Sequence, residues 1–294
     1  MTIALIGRGR LATNLLPALQ QAGHDVTSVN SRTLEELPQQ ADVYIISVKD
    51  SALREVIAHA TKGRENQFFV HTAGSMSVDV FEGYCSRYGV FYPMQTFSKE
   101  RQVSFREIPI FIEAGGSGKA AVDGKIADHT TSADATADHT TSADATADYT
   151  TSADATAETL GVLRVLADSV SQKVYELSTA DRKYLHLAAV FACNFANHCY
   201  ALAADVLAKK GLPFDVMLPL IDETARKVHG MHPQDAQTGP AVRYDENVIS
   251  MQSDLLADEP VLQDIYRLLS KSIHQKATEP HDPLRLTEDT SHRV

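Results

Sequence analysis

The chain has 294 residues, 44% hydrophobic and 22% charged, with a formal net charge of −11 and a pI of about 5.5. A net anion of this kind is not drawn to nucleic acid or to an anionic membrane, so neither is expected as a partner. Three cysteines, Cys85, Cys193 and Cys199, without any C-x-x-C spacing make no disulfide framework and point to a reduced, cytoplasmic protein. The N-terminus lacks the basic region of a signal peptide, and the sequence is read as having no apolar stretch of transmembrane length.

Residues 3–6 read as a buried strand, and Leu11, Leu15, Leu19 and Ala22 follow at helical spacing. A second strand is expected at 25–31, and Thr33-x-x-Glu36 has the form of a capping box opening a short helix. Residues 43–48 form a strongly apolar strand, and Asp50 is placed to cap the helix after it. Further strands are expected at 68–72, ending on Ala73-Gly74, and at 89–92 and 108–112. Alternation of this kind predicts a parallel sheet with helices on both faces.

Residues 127–156 spell one decapeptide three times, ADHTTSADAT twice and ADYTTSADAT once. With almost no large apolar side chains, such a tract cannot offset the entropy of ordering, so 115–157 is expected to be a disordered insertion at a loop. Order resumes at Glu158 with Leu160, Leu163, Leu166 and Val170 at helical spacing and a strand at 173–177. The insertion then interrupts a strand–helix–strand unit of a first domain, 1–177. From Ser178 the pattern is all helical. Residues 180–210, free of Gly and Pro, form the longest helix, followed by 215–228 (with Pro219 in its body), a loop at 230–240, and helices at 245–257 and 259–272. This helical domain is set at 178–276, with a polar tail at 277–294.

The chemistry starts at Gly7-Arg8-Gly9-Arg10-Leu11-Ala12, a G-x-G-x-x-A pattern between an apolar strand and an amphipathic helix. The first glycine makes the tight turn, the second lets backbone approach a pyrophosphate, and the small third residue lets the helix pack on the strand. Together with the alternation, this gives an α/β fold: a Rossmann-type, doubly wound, mostly parallel sheet followed by an all-helical C-terminal domain. At the end of the second strand an NAD site usually carries an acid for the ribose hydroxyls. Here stand Ser31, Arg32 and Thr33, two hydroxyls and a guanidinium suited to a 2′-phosphate, so NADP is the expected cofactor. Arg8 and Arg10 either add positive charge to the same anion site or are simply exposed.

Gly7–Ala12, the Ser31–Thr33 turn, Ser47-Val48-Lys49-Asp50 and the Ala73-Gly74 turn resemble the N-terminal domains of pyrroline-5-carboxylate reductase and ketopantoate reductase. More closely, the chain resembles a bacterial family assigned as NADP oxidoreductases, with a Rossmann-like domain joined to a helical domain of unknown function. The phrases that carry this resemblance are His71–Ser75, Tyr92–Ser98, His186–Phe191, Asn194-Phe195 and Thr238–Arg243 with Asp245. The resemblance implies the fold and the cofactor, with Ser47, Val48, Lys49, Thr72, Ala73 and Gly74 joining the glycine loop around it. It implies no particular substrate.

On the long helix, Lys183, Val190, Asn194, Asn197 and Ala201 lie within about ±40° of one line, with His186 and His198 flanking it. In ketopantoate reductase a Lys and two Asn recur at four-residue steps on this helix. With Asn194 on the last of them, His186 takes the place of the Lys and Val190 that of the middle Asn, which departs from the pattern. His186 is expected as general acid or base, since imidazole titrates near neutrality, and Asn194 as the group that orients the reacting oxygen or nitrogen. Alternatively, both are core residues of a helical bundle. Gln95 and Arg243 are taken as substrate-facing, Arg243 for a carboxylate, with an ion pair to Asp245 or Glu246 as its alternative. His229-x-x-His232 lacks a third ligand, and no metal is expected. The reading is an NADP(H)-binding oxidoreductase of a small carbonyl, imine or hydroxy-acid substrate, homodimeric through the helical domain. The alternative is a non-catalytic NADP-binding or sensing protein.

Overall fold

One sheet carries the N-terminal half: β1 (Thr2–Ile6), β2 (Asp25–Val29), β3 (Val43–Ile46), β4 (Phe68–His71), β5 (Arg87–Pro93), β6 (Ile110–Gly115) and β7 (Val174–Glu176), in the spatial order β2-β1-β3-β4-β5-β6-β7. The computed structural model describes residues 1–116 and 145–279. The first five strands are parallel, β6 runs antiparallel to β5, and β7 is again parallel to β6. The order reverses between β1 and β3, and a doubly wound sheet binds ligands at such a switch point, outside the carboxyl ends of its strands.

β1, β3, β4 and β5 are buried on both faces over nearly their whole length, which is why they read as apolar runs, whereas the edge strands β2 and β7 are partly exposed. Ile3, Leu5, Val43, Ile45, Phe68 and Val70 pack on one face under Ala12, Leu15 and Leu19 of α1 (Arg10–Gln21) and Leu163, Leu166, Ala167 and Val170 of α3 (Ala145–Val170). Ala4, Ile6, Tyr44, Ile46 and Phe69 face the other way, onto Leu53, Val56, Ile57 and Ala60 of α2 (Asp50–Ala60).

Several local expectations are corrected. The capping box at Thr33 opens no helix. Asn30 Oδ1 accepts from Arg32 N at 3.1 Å, and Leu34 turns left-handed at φ 53°, so the segment closes into turns that compete with helix. Lys49, not Asp50, is the N-cap of α2, and the Asp50 carboxylate instead accepts from Ser75 Oγ. The third decapeptide copy lies in α3, where disorder is expected; the rest of the supposed insertion, 117–144, falls outside the described residues. Thr159, Leu163 and Leu166 are buried, so their turns supply the costly helical nucleus. The Ala-rich stretch before them then adds one hydrogen bond per residue at no further nucleation cost.

The long helix is a continuous run of three parts: α4 (Thr179–Ala189), a π-helical segment (Val190–Phe195) and α5 (Ala196–Ala208). This run is long and apolar enough, by length and composition, to cross a membrane, contrary to the sequence reading. It also holds the division of the chain into two compact units, Met1–Cys193 and Asn194–Val294. In the second unit α6 (Leu218–Lys227) starts later than expected, so that Pro219 falls in its first turn, where a missing N–H costs nothing. The single turn α7 (Pro240–Arg243) and α8 (Glu246–Asp254) pack against α9 (Pro260–Thr278). Gln263 Nε2 and Arg267 Nε bond to the carbonyl and hydroxyl of Ser253 at 2.8 and 2.9 Å. Residues 280–294, most of the expected polar tail, lie outside the described part.

Candidate cofactor and active site

At the switch point lies a cleft of about 1550 Å³, above the roughly 300–1,000 Å³ of pockets for drug-sized ligands. Its lining comes from the first unit, and begins with the turn between β1 and α1. Gly7 has φ +124°, and a Cβ there would stand 2.1 Å from the Ser47 carbonyl oxygen at the end of β3, so only glycine closes this turn. Gly9, the N-cap of α1, has open space where its Cβ would be. The first turn of α1 contains no acid, and its unpaired N–H groups with the helix dipole form an anion cradle. Ala12 is buried beneath.

The β2 end is shaped by the Asn30 turn, which sets Ser31, Arg32 and Thr33 on the cleft wall. Arg8, Arg10 and Arg32 are exposed there, and none has an ion pair among the described residues. Ser47, Val48 and Lys49 follow β3, and Thr72, Ala73 and Gly74 follow β4. This open glycine, bare helix end and guanidinium set fits an anionic dinucleotide. The turn after β4 is pinned by His71, which is fully buried: Nδ1 accepts from Ala73 N at 3.1 Å, leaving Nε2–H to donate to the Ser77 carbonyl at 3.2 Å. Burial pushes its pKa down to about 4, so the ring is neutral near pH 7.

The cleft also takes in His186 from α4, Tyr92 from the end of β5, and Gln95. Tyr92 Oη lies 3.1 Å from His186 Nδ1, with the rings edge-on at 6.1 Å. Gly74 makes room for them, since a Cβ there would stand 2.6 Å from Nδ1 and 2.7 Å from Tyr92 Cζ. Burial raises the Tyr92 phenol above its ordinary pKa. One helical turn before His186, Arg182 is buried and paired with Glu113 of β6, and its Nη2 donates to the Met76 carbonyl at 2.7 Å. Glu113 also accepts from Thr179 N and Oγ1, both at 2.7 Å. This clamp fixes the start of α4 against the sheet and so sets where His186 points.

The structure thus brings together on one wall the glycine loop, the Ser31–Thr33 turn, the ends of β3 and β4, Gln95 and His186. Gln95 is exposed, its Oε1 accepting from Thr96 N at 2.8 Å. Asn194 and Arg243 belong to the second unit. Asn194 is exposed in the π-helical segment, and Arg243 ends α7, exposed and with no ion pair among the described residues. Asp245 instead caps α8, accepting from Val248 N at 3.3 Å. Sequence reasoning missed Tyr92 as a site residue. Its signal was a polar-headed aromatic at the carboxyl end of an apolar strand, where a parallel sheet opens its ligand crevice.

Comparison with known proteins agrees with this layout. Residues 2–61 match the family described as NADP oxidoreductase, coenzyme F420-dependent, and residues 150–273 match a domain of unknown function, DUF2520. No curated protein matches. Among solved structures, a Bacteroides fragilis protein assigned as an NADP oxidoreductase is 45% identical, with 93% of this chain and 98% of that one covered and a TM-score of 0.74. The fold also recurs in a pyrroline carboxylate reductase from Plasmodium falciparum with NADP bound, at 11% identity, 93% and 98% coverage and TM-score 0.52. It recurs again in an imine reductase from Streptomyces aurantiacus, at 14% identity, 94% and 98% coverage and TM-score 0.52. By its near-full-length likeness to the Bacteroides fragilis protein, this chain belongs to the family of NADP oxidoreductase type in which a Rossmann-like domain is followed by a DUF2520 domain.

Proposed function

We propose that this protein is an NADP(H)-dependent reductase or dehydrogenase acting on a small carbonyl, imine or hydroxy-acid substrate. The observation that carries the reading is a single cleft holding a phosphate cradle and an imidazole–phenol pair. The glycine loop and the α1 N-terminus receive the pyrophosphate, and Arg32 with Ser31 and Thr33 receives the 2′-phosphate. When bound, the nicotinamide supplies or accepts a hydride. His186 holds or moves the proton at the reacting heteroatom, Gln95 lines the approach, and Asn194 and Arg243 are assigned to substrate orientation and carboxylate binding. The family match that mentions coenzyme F420 spans β1 to the end of α2, the dinucleotide cradle, and the proposal takes NADP alone from it.

We also propose a cytoplasmic homodimer formed through the helices after Ser178. Tyr184, Leu187 and Phe191 on the long helical run are exposed, as are Leu220 and Leu268 beyond it, apolar side chains of the kind a second copy would cover. Arg182 and His186 tie the start of that run to the sheet and the cleft, which favours a partner helix over lipid as its cover.

The test is titration of purified protein with NADPH and NADH, then a screen of 2-oxo acids, imines and hydroxy acids followed by NADPH absorbance. Tight NADPH binding with turnover supports the reading. Binding without turnover across the screen favours an NADP-binding sensor, and absence of binding defeats both. Light scattering at micromolar concentration decides the homodimer.

A further inference from the structure

We propose that Tyr92 fixes His186 as the Nε2–H tautomer, and that this fixed donor selects a carbonyl oxygen, not a protonated imine nitrogen, as the group reduced in the cleft. The inference rests on the reductase reading and narrows its substrate class.

The Tyr92 hydroxyl meets one polar group among the described residues, His186 Nδ1 at 3.1 Å. Two arrangements satisfy that distance. If Nδ1–H donates to the phenol oxygen, the phenol's own proton finds no acceptor among the described residues, at a residue that is 9% exposed. If the phenol donates to Nδ1, both groups are paired and the imidazole proton must sit on Nε2. Burial raises the phenol pKa, which keeps the proton on the donor; Arg182 and Asp50 are the charges acting on it, with opposite sign. Gly74 is the steric condition for the pair, because any Cβ there would enter both rings.

His186 is partly exposed on the cleft wall, and Nε2 has no partner among the described residues. A donor at that position binds an atom with a free lone pair. A carbonyl oxygen has one, whereas a protonated imine offers only an N–H. In the reduction, the carbonyl carbon gains hydride from NADPH and the C=O π pair moves onto oxygen. That oxygen takes the Nε2 proton as Nδ1 takes the phenol proton; Nδ1 then returns its proton to the phenolate as Nε2 takes a proton from water. Alcohol, NADP⁺ and the starting tautomer result. Tyr92 acts through His186 and is a positioning residue.

The experiment is long-range ¹H–¹⁵N correlation on the full-length ¹⁵N-labelled protein, with and without NADP⁺, using His186→Gln to assign the signal. Expected is an unprotonated Nδ1 and a protonated Nε2, with Tyr92→Phe shifting the ring toward a tautomer mixture while NADPH affinity by calorimetry changes less than twofold. A wild-type Nδ1–H ring, or an identical tautomer in Tyr92→Phe, overturns the proposal. Should Tyr92→Phe not fold, 3-fluorotyrosine labelling keeps the ring and strengthens the donor. It should move the Nδ1 signal, and an unmoved signal is equally fatal. In turnover, matched 2-oxo acids and cyclic imines are compared: carbonyl reduction is expected, with Tyr92→Phe lowering kcat by about 100-fold at little change in KM. Oxidation of NADPH by imines alone, or by neither class, overturns the carbonyl selection while leaving NADPH binding intact. Failure to bind NADPH defeats the reductase reading instead, and the tautomer in the free protein still decides the role of Tyr92.

Discussion

The sheet layer and the helices that follow it are both rich in large apolar residues, and they treat them in opposite ways. Leu5, Leu15, Ile45 and Phe69 are fully buried, whereas Phe191 and Leu220 are each 63% exposed and Leu268 67%. A sheet has two faces, and this chain supplies helices for both: α1 and α3 on one, α2 on the other. On the later helices several large apolar side chains are left exposed among the described residues. Among the described residues the sheet layer thus buries its own apolar side chains, whereas the helical part leaves large ones exposed.

The sharpest way to break this contrast is in the sheet layer. Leu15→Ala removes a fully buried side chain between α1 and the sheet, and is expected to cost about 2–5 kcal/mol. In a domain of this size each kcal/mol lowers Tm by roughly 2–4 °C, read by calorimetry. A loss under about 1 kcal/mol would mean that this layer is not the close-packed element it is taken to be.

A second expected effect is on pH. His71 is buried neutral with a pKa of about 4, against about 6.5 when unfolded. Between those values the unfolded chain binds the additional proton. Stability from this group is therefore present above about pH 6.5 and lost as pH falls through about 4, amounting to about 3 kcal/mol. Urea unfolding from pH 7 to 4 should show that slope, and His71→Asn should flatten it. An equal slope in both proteins would remove His71 from the acid sensitivity.

How much of this was visible beforehand follows the range of the interaction concerned. Gly7 and Gly9 were legible because the cradle needs them at fixed spacing within one turn. So was Ser31–Thr33, which follows its strand directly. The helix expected at Thr33 fails because the Asn30 side chain captures the Arg32 N–H, a competition that a capping-box pattern does not record. The direction of β6 was hidden, since residues 110–112 are apolar whether paired parallel or antiparallel. The Tyr92–His186 bond joins residues 94 apart, and the π-helical segment has no periodicity of its own, so neither leaves a local trace.

Next in size is the cofactor preference, which belongs to the sheet layer alone. Arg32 is exposed at the β2 end with no ion pair among the described residues, and residues 30–33 contain no acid to repel a 2′-phosphate. A charge-assisted pair at such a site is worth about 1.5–3 kcal/mol, on the order of 10- to 150-fold in affinity. Arg32→Ala should weaken NADPH by about that factor and NADH hardly at all, and added salt should narrow the wild-type preference. Equal wild-type affinities, or loss of both cofactors together, would return Arg32 to the solvated surface.

The smallest effect tests the helical half without any mutation. If Phe191, Leu220 and their neighbours are covered by a second copy, folding is coupled to association, and the apparent stability depends on protein concentration. Each tenfold dilution then removes about 1.4 kcal/mol per dimer. By the usual conversion that lowers Tm by roughly 2–4 °C per kcal/mol, spread over two chains. A dilution series from about 100 μM to 1 μM, spanning two such decades, reads this against scan rate by fluorescence-detected melting. The sheet layer predicts no such dependence, since its core is closed within one chain. A Tm constant across the series, with a monomer by light scattering, would mean the exposed apolar side chains stand in water or meet a different partner. The contrast between the two regions would then lose its explanation in self-association.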